Sequence, residues 1–160
     1  MIDREARNKA AETIRHYVCG VITNREFEKR YPNSKSDPII RALDDSLWPT
    51  YDDIVTHTLA GKNAVTKDLK ERAARRLLFL YSNTEYQWLR IGDAAFRDLP
   101  ADSWFGNVAR WVFRYDERSA AFMNYGDYNV WPFLRRDEFI PATSNKRLHR
   151  TRLSAAVIKR

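Results

Sequence analysis

Residues 3–20 read Asp3-Arg4-Glu5-Ala6-Arg7-Asn8-Lys9-Ala10-Ala11-Glu12-Thr13-Ile14-Arg15-His16-Tyr17-Val18-Cys19-Gly20. Ala6, Ala10, Thr13, Ile14, Tyr17, Val18 and Val21 recur at three- and four-residue spacing, which sets them along one face of an α-helix. Gly20 stands where a helix closes through a left-handed residue. Such a stripe has to be covered by further elements, and the rest of the chain reads as more helices.

Thr23 and Glu26 have capping-box spacing and open a second helix, which Tyr31-Pro32-Asn33-Ser34 cuts short. Asp37-Pro38 starts a third, with an N-cap acceptor before a preset φ. Ile40, Leu43, Leu47, Tyr51, Ile54 and Thr58 then form a stripe interrupted at Pro49, which predicts a kink or two abutting helices. Beyond Gly61, Thr66 caps a helix whose stripe is Leu69, Ala73, Leu77 and Leu80, widened by Leu78 and Tyr81.

Residues 104–139 hold 11 of the 21 aromatics. There, Gly126-Asp127 between Phe122–Tyr125 and Tyr128–Trp131 carries a hairpin signal. Helix competes for 105–123 through Trp104, Val108, Trp111 and Tyr115. The expected fold is mainly α, a helical bundle of four to six helices with a small β-hairpin around 120–133. One helical domain spans 1–143, and 144–160 form a basic tail, read as a docking segment.

The net charge of +7 invites a nucleic-acid reading, but its distribution weakens it. Residues 144–160 hold six of the 28 basic residues and none of the 21 acidic ones, leaving 22 against 21 in residues 1–143. As a nucleic-acid arm the tail would use Lys146, Arg147, Arg150 and Arg152 on phosphates. It has no interleaved aromatics for base stacking. No apolar run is long enough to span a bilayer and no secretory h-region opens the chain, so a cytoplasmic protein is expected.

Motifs for catalysis are scarce. Asp45, Asp52, Asp53 and His57 would share faces on an unbroken helix, where they could hold a divalent cation or form an acid–base pair. Against this, acidic residues beside Leu43, Leu47 and Ile54 also read as a solvated helix face, and Pro49 interrupts the register. Asp53 and His57 are therefore the only catalytic candidates, and weak ones. The histidines lack zinc-ligand spacing, there is no Gly-rich phosphate loop, and no metal or cofactor is expected. Cys19 reads as a small buried residue. The segment Thr84–Ser103 is long for a connection, and functional loops are often long.

Trp48, Tyr51, Tyr86, Trp88 and Trp131 are the candidates for a ligand pocket or a partner surface. Core filling is the competing use of these aromatics. The reading leans away from an enzyme and toward a binding module for a protein or small molecule, with a homodimer as one form.

Residues 144–160 resemble a translated integron recombination site, the attC inverted repeat that closes a mobile gene cassette. Ser144-Asn145-Lys146 is readable as the start of such a repeat and Lys159-Arg160 with a stop codon as its GTTAG-like end. The body is similar to small bacterial proteins sharing Leu47-Trp48-Pro49, Tyr51-Asp52-Asp53, Glu85-Tyr86-x-Trp88 and Trp131-Pro132-Phe133, a resemblance that implies no activity. Together these imply an accessory protein of a mobile cassette. Sequencing the DNA after the stop codon should complete the inverted repeat; unrelated sequence there would remove the resemblance.

Overall fold

Asp3 starts the first helix, α1 (Arg4–Val18), by accepting from the Ala6 N–H at 3.0 Å. This computed structural model describes residues 1–88 and 121–144, and the chain is mainly helical. Ala6, Ala10, Ala11, Ile14 and Tyr17 are buried, as their spacing requires. The helix closes in a Schellman arrangement. Val21 N–H bonds the His16 carbonyl at 2.8 Å and Gly20 N–H bonds that of Tyr17 at 2.9 Å.

Gly20 has φ +69°, and a Cβ there would lie 2.9 Å from the Ala60 Cβ. Both the turn and the neighbouring chain demand glycine. Because the helix ends before it, Val21 leaves the stripe. Cys19 is exposed rather than buried, and Ile22 enters the core in place of Val21.

The second helix, α2 (Asn24–Arg30), has the full capping box: Thr23 N–H to Glu26 Oε2 at 2.9 Å and Glu26 N–H to Thr23 Oγ1 at 3.2 Å. Phe27 packs from it onto Tyr17. The third, α3 (Pro38–Leu47), begins with proline in its first turn, but Asp37 makes no side-chain cap. Its carboxylate is taken by Arg7.

That ion pair is enclosed and two-pronged. Arg7 Nε donates to Asp37 Oδ2 at 2.6 Å and Nη2 to Oδ1 at 3.1 Å, with both side chains essentially without solvent exposure. Arg7 Nη1 also donates to the Thr84 carbonyl at 2.9 Å, and the Asp3 N–H donates to Asp37 at 3.1 Å.

Pro49 does not kink α3 but ends it. A 3-10 turn, Trp48–Thr50, follows, and the chain to Ala60 is irregular. Proline has no N–H for the helical ladder, and Asp52 builds a competing turn by accepting from Ile54 and Val55 N–H at 2.8 and 2.9 Å. Tyr51, Ile54 and Thr58 therefore do not continue the stripe, and Ile54 stands almost fully exposed.

Thr66 caps α4 (Lys67–Tyr81) through the Leu69 N–H. Among the described residues this helix makes its most extensive pairing with α1. It buries Ala73, Leu77, Phe79 and Leu80. The last described helix, α5 (Arg136–Ser144), lies against α4.

The hairpin around 120–133 does not form. Residues 121–125 are helical and Tyr128–Val130 make a 3-10 turn capped by Asp127, whose carboxylate accepts from Asn129 N–H at 3.0 Å. Gly126 is required by packing rather than by a hairpin turn: a Cβ there would meet the Leu134 carbonyl oxygen at 2.7 Å. Among the described residues the β pairing is a single bridge, Thr23 with Thr58.

Removing one member of a buried ion pair strands the other's charge. Asp37→Ala should therefore lower unfolding free energy by about 3–5 kcal/mol in urea titrations. The Arg72–Asp68 pair at 2.8 Å, whose carboxylate is largely in solvent, should matter far less when broken by Asp68→Ala. Equal losses in the two variants would contradict the central place given to Arg7 and Asp37.

Candidate functional site

The early end of α3 and the facing helix α2 leave a surface groove of about 450 Å³ between them. Its apolar lining includes Phe27, Tyr31, Ile40 and Leu47, and Trp48 and Tyr51 add an aromatic wall. Trp48 is 56% exposed, although it is one of the largest apolar side chains in the protein. It stacks on Tyr51 with ring centroids 5.5 Å apart and planes within 9°. The 3-10 turn places the two rings side by side, three residues apart.

Carboxylates line the same groove: Glu28 from α2, Asp44 and Asp45 from α3. The Tyr51 hydroxyl donates to Glu28 Oε2 at 2.7 Å, and the Tyr31 hydroxyl donates to the Ile40 carbonyl at 2.8 Å. Arg41, the groove's basic side chain, lies 3.9 Å from Asp45 and is mostly in solvent.

Desolvation, then the neighbouring Asp45 and Glu28 charges, pushes the Asp44 carboxyl up to about 6, with Arg41 opposing. Asp44 still has exposed surface, and the crowding of negative charge adds to the desolvation. Desolvation also raises the phenols of Tyr31 and Tyr51, with nearby carboxylate charge adding to both. Both stay protonated and keep their hydrogen bonds.

Asn24 fixes the loop that carries Tyr51. It is fully buried at the start of α2. Its Nδ2 donates to the carbonyls of Asp52 at 2.7 Å and Val55 at 3.1 Å, while Oδ1 accepts from His57 N–H at 3.0 Å. Its own N–H reaches the His57 carbonyl at 3.0 Å. Every polar atom of that side chain is used on residues 52–57, as burial of an amide requires.

The sequence candidates divide accordingly. Trp48, Tyr51 and Asp45 meet in the groove. Asp52, Asp53 and His57 lie beyond Pro49 in the irregular segment, so they share no helix face with Asp45 or with one another. The Asp52 carboxylate is held below its ordinary range by the Val55 and Ile54 N–H groups. Both His57 ring nitrogens lie against carbonyls, of Val55 at 3.2 Å and Thr50 at 3.3 Å. Among the described residues no three His, Cys, Asp or Glu side chains are grouped to hold a metal.

Trp88 and Trp131 are core residues, only 3% and 4% exposed. The Trp88 indole N–H donates to the Phe133 carbonyl at 3.1 Å and that of Trp131 to the Tyr86 hydroxyl at 3.3 Å. Tyr86 and Trp88 also edge a small cavity of about 210 Å³ beside Arg7 and Asp37. Lys146, Arg147, Arg150 and Arg152 lie outside the described residues.

Glu28, Asp44 and Tyr31 were not among the sequence candidates for the groove. Their one legible signal was an acidic pair just ahead of Trp48-Pro49-Thr50-Tyr51, and Glu28 joins it only through tertiary packing. No helix among the described residues is long and apolar enough to cross a membrane. Comparison with protein-family models, curated proteins and solved structures returns no match.

Asp44 holds its proton to higher pH in the folded chain than a free carboxyl would, so its share of stability is present at low pH and lost as pH rises through about 6. Carbon-13 carboxyl NMR should place its midpoint near 6, and Asp45→Asn should move that midpoint down. Asp44→Asn should gain stability over wild type as pH rises from about 4 to about 6 and keep that gain above it. A midpoint at the ordinary aspartate value would contradict the crowding described.

Proposed function

We propose that the chain is a non-enzymatic binding module that takes a small-molecule or protein ligand into the Trp48–Tyr51 groove. The observation that carries this reading is the exposed Trp48 ring stacked at the mouth of a concave, carboxylate-lined site. Tryptophan and tyrosine are enriched among binding hot spots, and ligand pockets are lined mainly by apolar and aromatic side chains. Tyr86, Trp88 and Trp131 support it by contrast, since their rings are used inside the fold.

The competing enzyme reading through Asp45, Asp52, Asp53 and His57 has less to work with. Asp52 Oδ1 accepts from the Ile54 and Val55 N–H groups, and both His57 ring nitrogens lie against backbone carbonyls of Thr50 and Val55. A cytoplasmic accessory protein of a mobile cassette remains the proposed setting. A second copy is one form of protein ligand, for which exposed Ile54 and Val55 offer apolar surface close to Trp48 in the chain. Nucleic-acid binding through the tail is the minor alternative, and a salt-dependent gel shift lost on deleting 144–160 would favour it.

A thermal-shift screen of the full chain against metabolites and peptides tests the main reading. A true ligand should raise Tm, and Trp48→Ala should weaken it by about thirtyfold or more with unchanged circular dichroism. Ligands whose affinities are indifferent to both Trp48→Ala and Tyr51→Ala would locate the function elsewhere.

A further inference from the structure

We infer that the groove selects an organic cation, an alkylated ammonium or guanidinium head carried on a small apolar body. This rests on the binding reading above and names the ligand class. The charge of the site runs against that of the chain. Glu28, Asp44 and Asp45 line the groove against Arg41, with Arg25 3.8 Å from Glu28 as a second cation, so three carboxylates meet two basic groups on a protein whose formal net charge is +7.

Hydrogen bonding points the same way. The two phenol hydroxyls at the groove already donate, Tyr51 to Glu28 and Tyr31 to the Ile40 carbonyl. Arg41 lies 3.9 Å from the Asp45 carboxylate. An anion would therefore meet few side-chain donors and several carboxylates. A cation would meet acceptors on both α2 and α3.

The aromatic wall supplies the rest. Trp48 stacks on Tyr51 through one ring face and remains 56% exposed, so the indole offers ring surface to a ligand. An electron-rich ring face attracts cations, indole most strongly. A neutral apolar guest would gain the stacking but not the charge, and a bare metal ion would gain nothing from the rings. The volume of about 450 Å³ lies in the usual range for small-ligand pockets.

The test uses the full chain labelled at tryptophan indole nitrogen and titrated with choline, with its neutral isostere 3,3-dimethylbutanol, and with Nα-acetyl-Nε-trimethyllysine amide. Choline should give a saturable shift of the Trp48 indole signal, about tenfold or more tighter than the isostere. Trp48→Ala should weaken choline by roughly threefold to thirtyfold. Asp44→Asn, which leaves the rings in place, should weaken it by roughly twofold to fivefold, and added salt should do likewise. Tighter binding of the lysine derivative would keep the cation class and identify a basic side chain as its source.

Equal affinity for choline and its isostere, or no saturable shift with either cation, would overturn the inference. If screen hits still depended on Trp48 in that case, the groove would remain the binding site for another chemistry. If they did not, the binding reading itself would fall.

Discussion

The Arg7–Asp37 ion pair ties the start of α1 to the start of α3 and to the chain just after α4. Arg7 projects from the first turn of α1, Asp37 immediately precedes α3, and Arg7 also reaches the Ser82 and Thr84 carbonyls just after α4. Arg4 repeats the last contact with Leu80 and Ser82 carbonyls at 2.8 and 2.7 Å. Taking two charges out of water is costly, and only a fully hydrogen-bonded geometry offsets it. Here the guanidinium is also packed over the Phe79 ring at 5.2 Å. The pair thus fixes an arrangement of three helices more than it adds stability.

This constraint reaches the groove through α3. One end of that helix is set by Asp37 and the other by Pro49, so its length and position leave little freedom for Asp44, Asp45 and Trp48. Helix α2 brings Glu28 to the opposite wall, and the Tyr51 hydroxyl bridges across to it. The result is a concentration of negative charge beside exposed ring faces. Acidic groups beside ring faces complement a ligand of opposite charge.

Local chemistry was the legible part. The α1 stripe, the Thr23–Glu26 box, the Asp37-Pro38 start and the Thr66 cap are each decided within a few residues, and each appears in the structure. What failed to be legible depends on distant partners. Asp37 has the sequence of a helix cap, yet Arg7, far away in the chain, outbids the local N–H groups for its carboxylate. Gly126-Asp127 has the spelling of a hairpin turn, but the glycine answers to Leu134 across a tight contact. Pro49 signalled an interruption without saying whether helix would resume, and Asn24 gave no sign that it would hold the segment that follows. The groove was half visible: Trp48 and Tyr51 stood out by type, whereas Glu28 joins them only in three dimensions.

The Asn24 clasp has a consequence for how this protein can change. One buried amide secures the backbone at Asp52, Val55 and His57, and the Asp52 carboxylate closes the turn between them, so the Ile54 side chain itself holds nothing in place. Ile54, at its crest, is 91% exposed and belongs to no packed surface of the described fold. The crest is accordingly a place where residues can be exchanged, or extra ones accommodated, while Tyr51 keeps its seat beside Trp48. Variation there would alter what surrounds the groove without altering the groove, and a protein built this way can diversify at its rim while its frame stays still.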